Sequence, residues 1–217
     1  SFCAPPTVYR YFIKKDMKKF DLSHLEHITT AGEALNPEVF EQVHKQTGLQ
    51  IMEGFGQTES VLMLGNLVGS TAKIGSLGKP TPLYNIMIAD NEGNRLPANE
   101  VGEIVVIPSE NQHGIFMGYC GNEDLYANVW KYGIYHTGDT AYMDDDGYYW
   151  YVGRIDDLIK TRGYRVGPFE IENVLMEHPA AMECAVTGVP DKARGQAIKA
   201  TIHLAKGCDK SKELMQD

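Results

Sequence analysis

Several features are scarce or missing in this sequence. Its four cysteines, Cys3, Cys120, Cys184 and Cys208, are scattered and form no Cys-x-x-Cys pair. That spacing fits neither a cysteine zinc site nor a dense disulfide framework; reduced thiols in a cytoplasmic protein are the expectation. No stretch approaches the roughly 18 uninterrupted apolar residues of a membrane-spanning helix, so no membrane partner is expected. Positive charge is short as well: 20 Lys and Arg against 29 Asp and Glu give a net charge of -9, which disfavours nucleic acid as a partner. The acidity is dispersed rather than gathered into a tail, and it serves solubility. Repeats and low-complexity tracts are absent. The chain opens at Ser1-Phe2-Cys3 without a Met, and it closes on Lys-Glu-Leu-Met-Gln-Asp, which reads as the first turn of a helix. A piece of a longer protein is expected on that basis. What remains is ample for folding: 217 residues with 43% hydrophobic content allow a substantial core in one or two domains.

Three characters follow one another along the chain. Residues 7–19 have a weak helical pattern. Ile28 to Ala31 reads as a short strand ending at Gly32. Asn36-Pro37 starts a helix, with Asn as cap and Pro at the first helical position, which runs to about Thr47 and closes at Gly48. A second short strand, Gln50 to Glu53, leads into the loop Gly54-Phe55-Gly56-Gln57-Thr58-Glu59. This is α/β organisation, with both glycine-containing loops at the carboxyl ends of strands, where such sheets bind ligands. From Lys73 to Trp150, short apolar runs (Tyr84–Ala89, Glu103–Ile107, Ala141–Met143, Tyr148–Val152) alternate with turn signals and predict an antiparallel β subdomain, a distorted barrel. After Gly153, a helix starts at Gly167-Pro168, carries Ile171, Val174 and Leu175 on one face, and stops at His178-Pro179. Strands at Glu183–Val189 and Lys199–Leu204 follow. Ile198, Ala200, Ile202 and Leu204 share one face of the second. The predicted fold class is therefore α/β followed by α+β. Residues 1–155 form one domain (1–70 an α/β piece, 71–155 the β subdomain), and 156–217 begin a second, small one.

The loops contain groups suited to a nucleotide. An aromatic can stack on a base, a Thr hydroxyl can bond a phosphate, and a carboxylate can hold Mg2+ that also touches phosphate. Gly54 to Glu59 offers all three. Tyr135-His136-Thr137-Gly138-Asp139 puts a carboxylate beyond a tight turn, suited to a ribose diol. Gly153-Arg154 adds a fixed cation. Taken singly, Glu59 is a surface carboxylate and Asp139 the cap of a turn.

Order and spacing change that. Thr30-Ala31-Gly32-Glu33-Ala34-Leu35, Gly54–Glu59, Gly75–Gly78-Lys79-Pro80, Gly102-Glu103, Tyr135–Asp139, Gly153-Arg154-x-Asp156 and Gly163-Tyr164-Arg165 occur in the succession of the adenylate-forming family. The chain resembles AMP-forming acyl-CoA synthetases over essentially its whole length. The segment Gly163 to Glu172, with Glu177-His178-Pro179 and Arg194-Gly195-Gln196, is most similar to the medium-chain members.

The resemblance implies the C-terminal part of a large adenylation domain joined to the start of a small mobile one, with ATP, CoA and a carboxylic acid as substrates. It implies catalytic roles for Thr58, on the α-phosphate, and Glu59, on Mg2+. Gly32, Glu33, Ala34 and Glu53 would border the adenine. Phe55 would stack on it, with Gly54 and Gly56 beside it. Asp139 would take the ribose hydroxyls with help from Arg154. Asp156 would be the hinge. Gly163 and Arg165 would lie on the loop that nears the active site for thioester formation, Gly163 lining the CoA tunnel and Arg165 near the nucleotide. Gly56, where acetate-specific relatives have Trp, would leave room for a longer acid. A phosphate loop with its Lys upstream of Ser1, and a catalytic Lys beyond Asp217, are implied as well, so this stretch alone would not adenylate. Two alternatives stay open: an adenylation domain that loads a carrier protein, and a noncatalytic relative. Oligomers are possible.

Other residues get blander readings. Asp144-Asp145-Asp146-Gly147 lacks the alternating acidic spacing of a calcium loop and reads as a hairpin turn. Tyr142, Tyr148, Trp150 and Tyr151 read as sheet packing. His136 reads as structural, Lys160 as solvated, Asp157 as a helper of the turn, and Cys120 as an unactivated thiol.

Overall fold

The computed structural model describes residues 1–110, 113–211 and 214. The chain divides into two compact units, Ser1–Tyr151 and Val152–Asp217.

The first unit begins with β1 (Phe2–Cys3), α1 (Pro6–Phe12), β2 (Ile28–Thr30), α2 (Pro37–Thr47), β3 (Ile51–Gly56), β4 (Leu62–Gly65) and β5 (Lys79–Pro80). The strands form one sheet in that order. β1, β2 and β3 are parallel, whereas β4 pairs antiparallel with β3 and β5 antiparallel with β4. The expected helix over 7–19 is shorter: it ends at Phe12, because Lys14-Lys15-Asp16 give it nothing to bury, and only a 3-10 turn at Met17–Lys19 follows. α2 starts where the Asn36 side chain accepts the Glu38 N–H and Pro37 supplies a preset φ. It ends at Gly48, whose φ of +75° suits a residue without Cβ. Its apolar face, Val39, Phe40 and Val43, closes over Ile28, Ile51, Leu35 and Tyr9. Each such side chain contributes about 1.5–3 kcal/mol on burial.

A second sheet holds β6 (Asn85–Ala89), β7 (Gly102–Ile107), β8 (Trp130–Lys131), β9 (Ile134–Met143) and β10 (Tyr149–Arg154), with α3 (Glu123–Val129) leading into β8. Its order is β10-β9-β7-β6, with β8 also on β9. The expected barrel is thus an open sheet instead. Its apolar face (Ile86, Ile88, Ile104, Val106, Tyr135, Ala141, Tyr149) packs on Met63 and Leu64 of β4, so a second layer covers what barrel closure would have covered. Asp144–Gly147 is a turn, as its spacing predicts. Asp144 accepts the N–H groups of Asp146 and Tyr148, the Trp150 indole N–H, and the Lys73 ammonium at 2.7 Å. Burial pushes the Asp144 carboxyl up, but Lys73, the Tyr148 amide and the Trp150 indole outweigh it and hold it at about 2. Tyr142 and Trp150 stack with ring centroids 6.3 Å apart, which is sheet packing.

The second unit has β11 (Ile159–Thr161), β12 (Tyr164–Val166), α4 (Pro168–Met176), β13 (Ala181–Asp191) and β14 (Gly195–Leu204). The sheet order is β12-β11-β14-β13, all antiparallel. Arg162 (φ +52°) and Gly163 (φ +87°) form the two-residue turn between β11 and β12, a type I′ geometry. α4 lies on β13, where Glu172 Oε1 accepts the Val186 N–H at 2.8 Å. The expected apolar face of β14 is only partly covered: Ile198 is 43% and Ile202 41% exposed.

Candidate active site

Two expectations about loops change in the first unit. Gly54-Phe55-Gly56 is not loop but the end of β3, paired with Gly65, Leu64 and Leu62 of β4. The ladder captures these residues because no turn signal intervenes before Gln57. Asp139 likewise lies inside β9 and not beyond a tight turn. Its strand carries a bulge there: β7 advances from Glu103 to Val105 while β9 runs from Thr140 to His136. Gly138, with φ +73°, makes that excursion possible.

Three groups fasten the bulge. Glu103 Oε1 accepts the Gly138 N–H at 2.8 Å, and its Oε2 lies 2.7 Å from His136 Nδ1. Thr137 Oγ1 donates to the Ile104 carbonyl at 2.7 Å and accepts the Asp139 N–H at 3.1 Å. His136 is therefore structural here, as its sequence context predicts. Asp139 is 5% exposed, yet both carboxylate oxygens have donors: Gln57 Nε2 at 2.6 Å and the Tyr151 hydroxyl at 3.2 Å.

Gln57 opens the turn that carries Thr58 and Glu59. That turn is closed by the Ser60 N–H on the Gln57 carbonyl and the Gln57 N–H on Ser60 Oγ. Thr58 is exposed. Glu59 is half-buried, and its Oε1 accepts the Tyr119 hydroxyl at 2.8 Å. Gln57, 82 residues from Asp139, thus joins the Thr58–Glu59 turn to that carboxylate through one side chain.

Glu53 and the segment Gly32–Leu35 also come together. The Glu53 side chain is 4% exposed, and its Oε1 accepts the Leu35 N–H at 2.9 Å. Burial pushes its carboxyl up to about 8, against the pull of that amide. Its Oε2 is buried without a hydrogen-bond partner, as is Oγ1 of Thr30, which stands opposite Glu53 in the parallel ladder. Glu33 points elsewhere: it accepts Thr7 Oγ1 at 3.0 Å and pairs with Arg10 at 3.1 Å on the surface. Gly32 is exposed and Ala34 half-buried. Phe55 leans on the β-sheet core.

Gly56 also has a reason within the fold to be glycine. A Cβ there would sit 2.7 Å from the Val61 carbonyl oxygen, so glycine is required by backbone approach within the chain. At Gly54 an added Cβ would meet Leu62 Cδ1 at 2.5 Å, the end of a side chain that can turn aside.

Arg154, Asp156, Gly163 and Arg165 fall in the second unit. Arg154 and Asp156 are exposed at the start of the unit, where the Asp157 N–H bonds the Arg154 carbonyl. Gly163 occupies the turn position, but Arg165 is in β12 opposite Lys160 rather than on the loop. The type I′ turn needs only two residues, which leaves Arg165 to the strand. Gln57 and Glu103 lie within motifs whose other residues draw the attention, and Tyr119 carries no local signal; Tyr151, expected to serve sheet packing, also donates its hydroxyl to Asp139.

Among the described residues no group of three or more His, Cys, Asp or Glu side chains could hold a metal by itself. Glu59 offers a single carboxylate, so a hard cation there would draw most of its oxygen ligands from water and phosphate.

The chain matches the family described as AMP-binding enzyme over residues 1–120, and the AMP-binding enzyme C-terminal domain over 170–217. It is 47% identical over 205 residues to acyl-coenzyme A synthetase ACSM3, mitochondrial, of Mus musculus, covering 94% of this chain and 35% of that protein. It is also 47% identical over 218 residues to 4-hydroxybutyrate--CoA ligase 1 of Metallosphaera sedula, covering 100% and 38%. The anthranilate CoA ligase AuaEII, solved with anthranoyl-AMP, superposes with a TM-score of 0.88 at 35% identity, over 99% of this chain and 41% of that one. The chain spans little more than a third of the length of these curated relatives. With the match extending over more than half its residues and the nucleotide-type loops gathered as described, the chain belongs to the AMP-binding enzyme family.

Proposed function

We propose that this chain is part of an enzyme that activates a carboxylic acid with ATP and passes the acyl group to CoA. The observation that carries this is the meeting of the Thr58–Glu59 turn with the buried Asp139 carboxylate through Gln57. It offers a phosphate end and a ribose end at one place.

The chemistry accounts for the parts. A carboxylate is a poor electrophile because its leaving group would be oxide. Its oxygen attacks the α-phosphorus of ATP, the bond to the β-phosphate oxygen breaks, and pyrophosphate leaves. The CoA thiolate then attacks the acyl carbon, and AMP departs with the C–O bond electrons. Thr58 would bond the α-phosphate, and Asp139 would accept the ribose hydroxyls. Glu59 would hold Mg2+, which neutralises phosphate charge when bound. Glu53, Gly32 and Ala34 would border the adenine, with Gly54, Phe55 and Gly56 alongside. Glu33, turned to Arg10, would do so only after giving up that pair. Arg154 and Arg165 would add cations, Gly163 would face CoA, and rotation at Asp156 would exchange one step for the next.

The acid is proposed to be longer than acetate: medium-chain, branched or aryl. Support comes from the Gly163–Glu172 segment and from relatives named for 4-hydroxybutyrate and anthranilate, not from Gly56. Pyrophosphate release by the full-length protein, with acetate, hexanoate and benzoate, with and without CoA, tests the whole reading. Release that no acid elicits would refute it. Dependence on a carrier protein instead of CoA would favour a carrier-loading domain. The scattered cysteine spacing is what supports a reducing compartment, proposed to be the cytoplasm; the mouse relative's name places that protein in mitochondria, and fractionation decides the matter for this one.

A further inference from the structure

We propose that Gln196 is a positioning residue for thioester formation: its side chain fastens the β11–β12 hairpin, whose turn carries Gly163, to the head of β14. This rests on the CoA reading above.

The outer end of that hairpin has no core to hold it. Ile159 at its base is 1% exposed, but Lys160, Arg162, Gly163, Tyr164 and Arg165 are all exposed. In a two-residue hairpin the pair flanking the turn, Thr161 and Tyr164, exchanges both ladder bonds. The next pair, Lys160 and Arg165, points its amides outward. The Lys160 N–H therefore faces β14. Among the described residues the ladder between β11 and β14 is one pair, Thr161 with Gly195. Beyond it a side chain takes the place of a ladder carbonyl: Gln196 Oε1 accepts the Lys160 N–H at 2.7 Å. On the other side of Thr161, the Arg162 N–H bonds the Arg194 carbonyl at 3.0 Å. The sign of the contact fixes the Gln196 amide, since a flipped amide would set its NH2 against the Lys160 N–H.

A residue of β13 makes room for this contact. A Cβ on Gly188 would stand 2.8 Å from Gln196 Nε2 and 2.9 Å from its Cδ. Those atoms end a flexible side chain, and the Gly188 backbone lies outside the left-handed region, so alanine there would push the amide aside and leave the strand in place. Gly188 and Gln196 are thus coupled, although only Gln196 touches the hairpin. A turn held in one stance meets its ligand in the productive geometry; a turn that swings does so only part of the time.

The full-length protein separates the two steps. Acid-dependent pyrophosphate release without CoA reads the first, and acyl-CoA formed over a range of CoA concentrations reads the second. Q196A is expected to lower kcat/KM for CoA about tenfold and to keep the first step within about threefold. Q196E keeps an acceptor for the Lys160 N–H and is expected to return kcat/KM to within about threefold of wild type. G188A is expected to reproduce the Q196A loss, and to add nothing to it in the double variant, which has no amide to displace. Equal losses in both steps, an unchanged CoA step, or additive losses in the double variant would overturn the proposal while leaving the CoA reading standing. A wild-type protein that releases pyrophosphate with an acid yet forms no acyl-CoA would overturn both.

Discussion

Burial holds the Glu53 carboxyl at about 8, against an ordinary value of 4.5, with the Leu35 amide pulling the other way. Folding therefore takes up a proton between those two values. Stability is fully present below pH 4.5, falls as pH rises towards about 8, and levels off beyond. The slope reaches at most ~1.4 kcal/mol per pH unit. Urea unfolding at pH 5 and pH 8 should show that drop in the wild type and a flatter profile in E53Q; parallel profiles would contradict the assignment. At Glu59, the Tyr119 hydroxyl orients Oε1. Removing it in Y119F should raise the Mg2+ concentration needed for half-maximal pyrophosphate release about tenfold, with the ATP-saturated rate at high Mg2+ little changed. Neither interaction could be read from residues alone. Glu53 and Leu35 are joined by a backbone amide, and Tyr119 reaches Glu59 across 60 positions.

Local chemistry decides the elements that the sequence announces well. α2 has its cap, its Pro and its closing glycine in a row, and the helix runs between them as predicted. N36A should cost about 1 kcal/mol in urea unfolding, because the Glu38 N–H loses its acceptor; an unchanged midpoint would show that water replaces the cap. The turn at Asp144–Gly147 and the helix start at Gly167-Pro168 were legible for the same reason. Elements set by pairing were not. The ladder with β4 decides that Gly54–Gly56 is strand, and β7 decides that residues 134–143 are one strand with a bulge. Glycines next to a turn signal carry the same letters in a loop or in a ladder. Gly56 is an example: a Cβ there would meet the Val61 carbonyl, a neighbour that only pairing brings close.

At the scale of the molecule, the nucleotide-type residues Thr58, Glu59 and Asp139 belong to the first unit, and the proposed CoA-side residues Gly163 and Arg165 to the second. If the two steps need different placements of these units, restricting the chain at Asp156 should separate them. D156P in the full-length protein should keep acid-dependent pyrophosphate release within about threefold and reduce CoA-dependent thioester formation at least about a hundredfold; equal loss of both steps would argue against a hinge there. The bulge in β9 governs a different long-range property, the phase of the chain. Between His136 and Thr140 the strand takes four steps where β7 takes two, so the excess is an even number. Tyr135, Thr137, Asp139 and Ala141 consequently stay buried on both sides of it. Deleting Gly138 alone would invert the facing of every β9 residue after it and should leave the protein insoluble. Deleting Thr137 and Gly138 together would keep parity, so a soluble, folded protein that no longer binds ATP is the expected product. The insertion, in this light, is a whole wavelength of sheet spent on placing one carboxylate.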